Sequence, residues 1–344
     1  MDNSWLGKSV LITGVCGTVG KELLRQIIAK NPDEIIGIDN NESELFFLTE
    51  EYLNNKNVHL YLGDIRDKEK LVRKMRGIDI VLHAAALKHV ILCEQSPRDA
   101  VQTNITGTQN IIDAAQINNV ERVIFTSSDK AVNPTNVMGT TKLMGERLMT
   151  AAHSLARGKN PIFASTRFGN ILGSKGSVIP IFRRQIAAGG PVTLTDPEMT
   201  RFIMTLDTAV SLVMESVFLA KGGEVFVTKM PIARISDLAN VMIEELAPRY
   251  DSSAEDIKVK TIGSKAGEKL YEELMSDEEI RRSFELDEFF VILPAFRSVY
   301  VNIDYSYGKK EVAVNKAYNS SLEKAMDKDE LGSYLKNNRL LEVE

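Results

Sequence analysis

The chain predicts an α/β fold, a doubly wound parallel sheet followed by a smaller C-terminal domain. Three observations predict it. Short apolar runs alternate with helix-periodic stretches through the first half. The first run, Val10-Leu11-Ile12, feeds directly into the glycine turn Thr13-Gly14-Val15-Cys16-Gly17-Thr18-Val19-Gly20, which opens a helix. The second run, Glu34-Ile35-Ile36-Gly37-Ile38, ends on Asp39, about 20 residues after the glycines.

The elements follow in order. Strands are expected at Ser9–Thr13, Glu34–Ile38, Val58–Leu62, Ile78–His83, Arg122–Ser127 and Pro161–Arg167. Helices are expected between them at Gly20–Lys30, Glu42–Leu53, Asp67–Met75, Pro97–Asn118 and Gly139–Ala156. Strand–helix alternation implies right-handed crossovers, with helices on both faces of a parallel sheet. Ligands bind such sheets beyond the carboxyl ends of the strands. There the chain places Gly14, Asp39, Asp64, Ala84-Ala85-Ala86, Ser127-Ser128-Asp129-Lys130 and Phe168-Gly169-Asn170. Past Gly169 the pattern loosens into the loop Gly173-Ser174-Lys175-Gly176-Ser177, the turn Gly189-Gly190-Pro191, and mixed short elements. Residues 1–169 are expected to bind the nucleotide, joined by parts of 203–225 and 250–262. Residues 170–344 are expected to carry mainly substrate contacts.

The first glycine turn suits a pyrophosphate. A helix N-terminus offers free N–H groups and the positive end of the helix dipole. Gly14 can make the tight turn, Gly17 lets the backbone approach phosphate, and Gly20 lets helix and strand pack closely. Asp39 can hydrogen-bond a ribose 2′-hydroxyl and would repel a 2′-phosphate. It can equally be a turn residue before Asn40-Asn41. These features make the first half a Rossmann-type dinucleotide site. Thr18, Val19, Asn40, Asn41, Asp64, Ile65, Asn104, Thr126 and Phe168 are expected to complete it.

Composition narrows the partners. The 344 residues suffice for one large or two coupled domains. Net charge is −5 with no basic stripe, which argues against nucleic acid. Cys16 and Cys93 cannot make a disulfide framework, and bridging Cys16 would block the glycine turn; a reducing cytoplasmic compartment is expected. No apolar run approaches the ~20 residues that span a bilayer, and no Cys/His spacing suggests zinc. A homo-oligomer without membrane insertion is expected.

Chemistry concentrates in Thr126-Ser127-Ser128-Asp129-Lys130-Ala131-Val132-Asn133-Pro134, where a hydroxyl, a carboxylate and an amine stand in a row at a strand end. A helix then carries Met138 and Lys142 on one face, four residues apart. The Asp129-Lys130 pair is either a solvated loop pair or an acid–base pair. His83 is expected to pack at a strand end, and His89 is as readily a surface residue as a site residue.

At these residues the chain resembles the extended short-chain dehydrogenase/reductases, and more narrowly the nucleotide-sugar 4,6-dehydratases. It is most similar to the UDP-N-acetylglucosamine 4,6-dehydratases of bacterial polysaccharide, pseudaminic and legionaminic acid biosynthesis. The matching stretches are Gly14–Gly20, His83–Val90, Thr103–Thr108, Ser128–Ala131 with Asn133-Pro134, Arg167–Asn170, Gly173–Pro180, Met199–Phe202 and Gly267–Leu270. The glycine motif is widely shared. The Asp-Lys pair and the Gly-Ser-x-Gly-Ser-Val-Ile-Pro loop are far more specific.

The resemblance implies a tightly bound NAD and a UDP-sugar substrate. It implies Asp129 as acid, Lys130 as base, Ser128 at the C4 oxygen, and Lys142 on the cofactor ribose. Lys130 would need a lowered pKa, through burial or through Lys142. Lys88 is placed near cofactor or sugar. Asn170, Ser177, Val178, Pro180, Thr193 and Thr195 are expected at the substrate. Arg201 suits a pyrophosphate by its planar fork, or a surface ion pair. Glu268 is a candidate for the uridine ribose.

One departure stands out. The superfamily's Tyr-x-x-x-Lys reads Met138-x-x-x-Lys142 here, and a thioether takes no proton at neutral pH. The chain is then a non-catalytic relative, or one of a branch that carries methionine at this position. The surviving Ser128, Asp129, Lys130 and Lys142 favour the branch. Redox-neutral 4,6-dehydration of UDP-N-acetylglucosamine with retention at C5 is the resulting expectation. The alternatives are an inverting dehydratase, a 4-epimerase or reductase, and a binding-only protein.

Overall fold

The computed structural model describes residues 4–155, 161–174, 176–263, 267–296, 302–308 and 312–342. The expected helix end at Ala156 and the loop residue Lys175 lie outside them.

Six parallel strands form where apolar runs were read: β1 Ser9–Thr13, β2 Glu34–Asp39, β3 Val58–Leu62, β4 Ile80–His83, β5 Arg122–Ser128 and β6 Ile162–Phe168. The inner strands are buried along nearly their whole length, as expected of parallel strands covered on both faces. Between them run α1 Thr18–Ile28, α2 Glu42–Glu51, α3 Lys68–Lys74, α4 Val90–Gln95, α5 Pro97–Ala100, α6 Gly107–Ile117 and α7 Val137–Ser154. One core packs Leu23, Leu24 and Ile27 of α1 against the sheet, and a separate core packs Ile111, Ile112 and Met149 on α6 and α7.

The helix expected over Pro97–Asn118 runs without interruption to Ile117, but not as a uniform α-helix. Between α5 and α6 the chain makes a π-helical turn at Val101–Thr106. A π turn carries one extra residue and re-aims the side chains that follow. Here it brings Asn104, 2% exposed, under the loop after β4.

The second half adds β7 Asn170–Ile171, α8 Val178–Ala187, β8 Val192–Leu194, β9 Thr200–Met204, α9 Leu206–Leu219, β10 Val225–Thr228, β11 Ile232–Arg234, α10 Ile235–Leu246 and β12 Val259–Thr261. It continues with β13 Glu273–Met275, α11 Asp277–Ile280, β14 Ser283–Glu285, β15 Phe289–Ile292, β16 Val312–Ala313, β17 Tyr318–Asn319 and α12 Lys328–Asn337. The large sheet runs β3-β2-β1-β4-β5-β6-β10-β15-β14-β16, and its last three strands are antiparallel to their neighbours. Of the segments expected to return to the nucleotide unit, 203–225 supplies α9, which packs on α1, and the first residue of β10. The segment 250–262 instead ends in β12, paired with β8 away from the large sheet. A third core, around α8, α10 and α12, holds this part together.

Candidate active site

The carboxyl ends of β1, β2, β4, β5 and β6 open into one cavity of about 700 Å³. Its floor is the glycine turn. A Cβ on Gly20 would sit 2.1 Å from the Gly14 carbonyl oxygen, so only glycine allows α1 this close. The N-cap of α1, Gly17, offers no side chain to the first-turn N–H groups. That leaves them for an anion. Asp39 accepts from the Cys16 N–H at 2.9 Å and from the Asn41 N–H at 2.9 Å. Each carboxylate oxygen keeps a further lone pair for a ligand hydroxyl. Burial and the neighbouring Asp39 push the Cys16 thiol up to about 12, so it stays protonated.

Thr18, Val19, Asn40, Asn41, Asp64, Ile65, Ala84, Ala85, Ala86, Lys88, Thr126, Lys142 and Phe168 line the same cavity. Asn104 does not line it. It lies behind the wall, accepting from the Leu87 N–H at 2.8 Å and donating to the Leu87 carbonyl at 3.0 Å and Thr141 Oγ1 at 2.9 Å. His83 is likewise structural, bonded to Thr13 at 2.8 Å and Thr108 at 3.1 Å, with burial lowering its pKa to about 3.

At the far end of the cavity stand Ser128, Asp129, Lys130, Met138 and Lys142. Ser128 Oγ donates to Asp129 Oδ1 at 2.6 Å, and Lys130 Nζ donates to the same oxygen at 3.0 Å. Asp129 is 1% exposed. Its Oδ2 has no hydrogen-bond partner, and the same holds for Ser127 Oγ, Asn170 Oδ1 and Ser177 Oγ. All four belong to residues lining this one cavity. Buried polar atoms are normally paired, so a polar ligand fits here. Gly139 lets α7 pack on this loop, because a Cβ would meet the Lys130 carbonyl oxygen at 2.1 Å.

The expected fall in the Lys130 pKa is not found. Burial disfavours its ammonium, but Asp129 and then Glu272 outweigh burial, and the net shift is upward. Burial instead lowers two other cavity lysines: Lys88, and Lys142, which it takes down to about 8 while Nζ donates to the Thr126 carbonyl at 2.8 Å.

The substrate candidates divide. Lys88, Asn170, Ser177 and Val178 line the cavity, whereas Pro180, Thr193, Thr195, Arg201 and Glu268 do not. Thr193 is tied to Gln185, and Thr195 donates to the Met199 sulfur. Arg201 is occupied: it donates to the carbonyls of Thr200, Leu270 and Lys269 at 2.7, 3.2 and 2.8 Å. Glu268 is exposed on the segment that this clamp holds. That segment forms a strap. The Gly267 carbonyl accepts from Asn136 at 3.0 Å, and Lys269 Nζ donates to the Val132 carbonyl at 2.9 Å. The strap delivers Glu272, which the sequence did not single out, to within 3.5 Å of Lys130 Nζ.

Among the described residues no His/Cys/Asp/Glu group is arranged for a metal ion, and no helix is long and apolar enough to cross a membrane.

Sheet order, glycine cradle and strand-end cavity define an extended short-chain dehydrogenase/reductase. A family described as polysaccharide biosynthesis protein matches residues 10–294, and the chain belongs to it. An uncharacterised membrane protein of Methanocaldococcus jannaschii is 46% identical, over 98% of this chain and 97% of its own. A UDP-N-acetylglucosamine 4,6-dehydratase (inverting) of Campylobacter jejuni is 38% identical, with 87% of each covered. A UDP-glucose 4-epimerase of Rickettsia bellii is 36% identical, over 97% and 96%. The crystal structure of Pen from Bacillus thuringiensis superposes with a TM-score of 0.90 at 41% identity, over 98% of this chain and 99% of that one.

Proposed function

We propose that the protein is an NAD-dependent 4,6-dehydratase acting on UDP-N-acetylglucosamine, serving surface polysaccharide or nonulosonic acid synthesis. One observation carries the reading: a hydrogen-bonded acid–base pair, Asp129 and Lys130, at the strand-end cavity that also holds the glycine cradle. An epimerase needs to move only a hydride and the C4 proton. Elimination of water also needs a base at C5 and an acid at the C6 hydroxyl, side by side.

The cradle fits a dinucleotide: a bare helix N-terminus for the pyrophosphate and Asp39 for a ribose 2′-hydroxyl. NAD held by this cradle would supply a reversible hydride acceptor for the hydrogen that leaves C4 and is redelivered at C6. Lys142 replaces the missing tyrosine. With a pKa near 8, a fraction of its amine is neutral at neutral pH and can take the C4 hydroxyl proton. Ser128 holds the C4 oxygen. Lys130 and Asp129 start as an ion pair. Moving one proton along their 3.0 Å hydrogen bond gives a neutral amine and a carboxylic acid together. Lys130 then removes the C5 proton as Asp129 protonates the leaving C6 hydroxyl, and the ion pair is restored. The upward-shifted Lys130 pKa is compatible with this, because the proton it sheds goes to its own partner.

Retention at C5 is the proposed outcome. Met138 offers no proton donor, so Lys130 returns a proton to the face it was taken from. Incubation with UDP-N-acetylglucosamine in deuterium oxide, followed by proton NMR, tests all of this. A 4-keto-6-deoxy product of D-xylo configuration is expected. An initial L-arabino product overturns retention, and conversion of UDP-glucose to UDP-galactose without loss of water establishes the epimerase reading.

A further inference from the structure

We infer that Glu272 is a positioning residue for Lys130: a second buried carboxylate that fixes where the amine points and how tightly it holds its proton. The role rests on Lys130 being the C5 base. Glu272 is 3% exposed and does not line the cavity, so it reaches the reaction only through Lys130. Its Oε1 lies 3.5 Å from Lys130 Nζ and 3.7 Å from Arg201 Nε. Its Oε2 is buried with no hydrogen-bond partner.

The backbone holds it rigidly. The Glu272 N–H donates to Ser320 Oγ at 2.9 Å, and the Ser320 N–H donates back to the Glu272 carbonyl at 2.9 Å. Four charged groups bear on the carboxylate: Asp129 and Lys130 from the turn after β5, Arg201 from β9, and Lys269 from the strap. Burial, then Asp129, push its pKa up, the three cations pull it down, and the net shift is upward.

Burying a carboxylate with one oxygen unpaired is costly. Bracing the chain ahead of β13 needs no such group, because the two hydrogen bonds that the Glu272 main chain makes with Ser320 already do that. What the carboxylate adds is charge beside one lysine. Asp129 must itself gain and lose a proton during turnover, so it cannot hold Lys130 throughout. Glu272 is the carboxylate that stays out of the proton traffic.

The test reads Lys130 directly. In protein labelled with 15N-lysine, the Nζ resonance is assigned by its loss in Lys130→Met and titrated in wild type, Glu272→Gln and Glu272→Asp. Removing a carboxylate removes what favours the ammonium, so Glu272→Gln should move the Lys130 titration about one unit toward acid. Glu272→Asp keeps the charge one methylene further away and should move it less; it also carries the measurement if the Gln variant does not fold. Turnover of UDP-N-acetylglucosamine by Glu272→Gln should lose about tenfold in kcat with KM nearly unchanged, and Glu272→Asp should recover part of it. A Lys130 titration unmoved by both substitutions overturns the inference, as does a raised KM at wild-type kcat. Wild-type protein that forms no 4-keto sugar overturns the dehydratase reading instead, and the titration still decides the role of Glu272.

Discussion

Lys130 and Lys142 sit in one cavity with opposite electrostatics. Lys130 has two carboxylates within 3.5 Å and is held as an ammonium, whereas burial takes Lys142 toward neutrality. Replacing Lys130 by alanine should abolish C5 deprotonation, with a loss of about 10² to 10⁴ in rate, while leaving nucleotide binding intact. Near-normal turnover would move the base elsewhere. C4 oxidation, followed by the transient absorbance of the reduced cofactor, should rise with pH through about 8 as Lys142 loses its proton. In Lys142→Arg, which cannot deprotonate, that rise should vanish. Met138→Tyr should change the wild-type rate only modestly. A large gain from an inert wild type would instead mark the chain as a non-catalytic relative. That Asp129, Lys130 and Lys142 face the cavity was legible from their places at a strand end and on a helix face, while the roles proposed for them rest on the family resemblance. Glu272 and the true partners of Arg201 were not, because those contacts join segments remote in sequence.

The elements were legible to different degrees for physical reasons. Each of the first six strands was read to within two residues at either end; for the inner ones this is because parallel strands covered on both faces are written as continuous apolar runs. The π turn at Val101–Thr106 was invisible, because its sequence Val-Gln-Thr-Asn-Ile-Thr is mostly polar and holds too few apolar residues to register the one-residue shift. Its product, Asn104, is testable. Asn104→Ala leaves the part-buried Leu87 N–H without its side-chain partner and the Leu87 carbonyl with only the weak Cys93 thiol donor. It should cost about 1–3 kcal/mol in chemical denaturation. Because Leu87 follows the cavity-lining Ala84–Ala86, NAD affinity measured by calorimetry should fall as well. In the second half, two- to five-residue strands pair mostly with distant segments, and local periodicity carries no record of such pairing.

For the whole molecule, two buried groups make stability fall on acidification. His83 is neutral in the fold, with a pKa near 3, but protonates near 6.5 when unfolded. Glu279, held at about 2 against burial by Arg167, protonates near 4.3 when unfolded. In both cases the unfolded chain binds more protons, so stability present at pH 7 should be lost progressively from about pH 6.5 down to about pH 2. Melting temperature against pH reads this directly, and His83→Gln should remove the upper part of the slope. A flat profile between pH 7 and 4 would contradict it. The strap has a different consequence. Arg201 grips main-chain carbonyls at 200, 269 and 270, and carbonyls are common to every amino acid. The clamp therefore leaves the identity of the gripped positions open to drift. Leu270, about half exposed, is free to vary over evolutionary time. Deep mutational scanning should show Leu270 permissive and Arg201 intolerant even of lysine, so that two touching residues carry opposite histories.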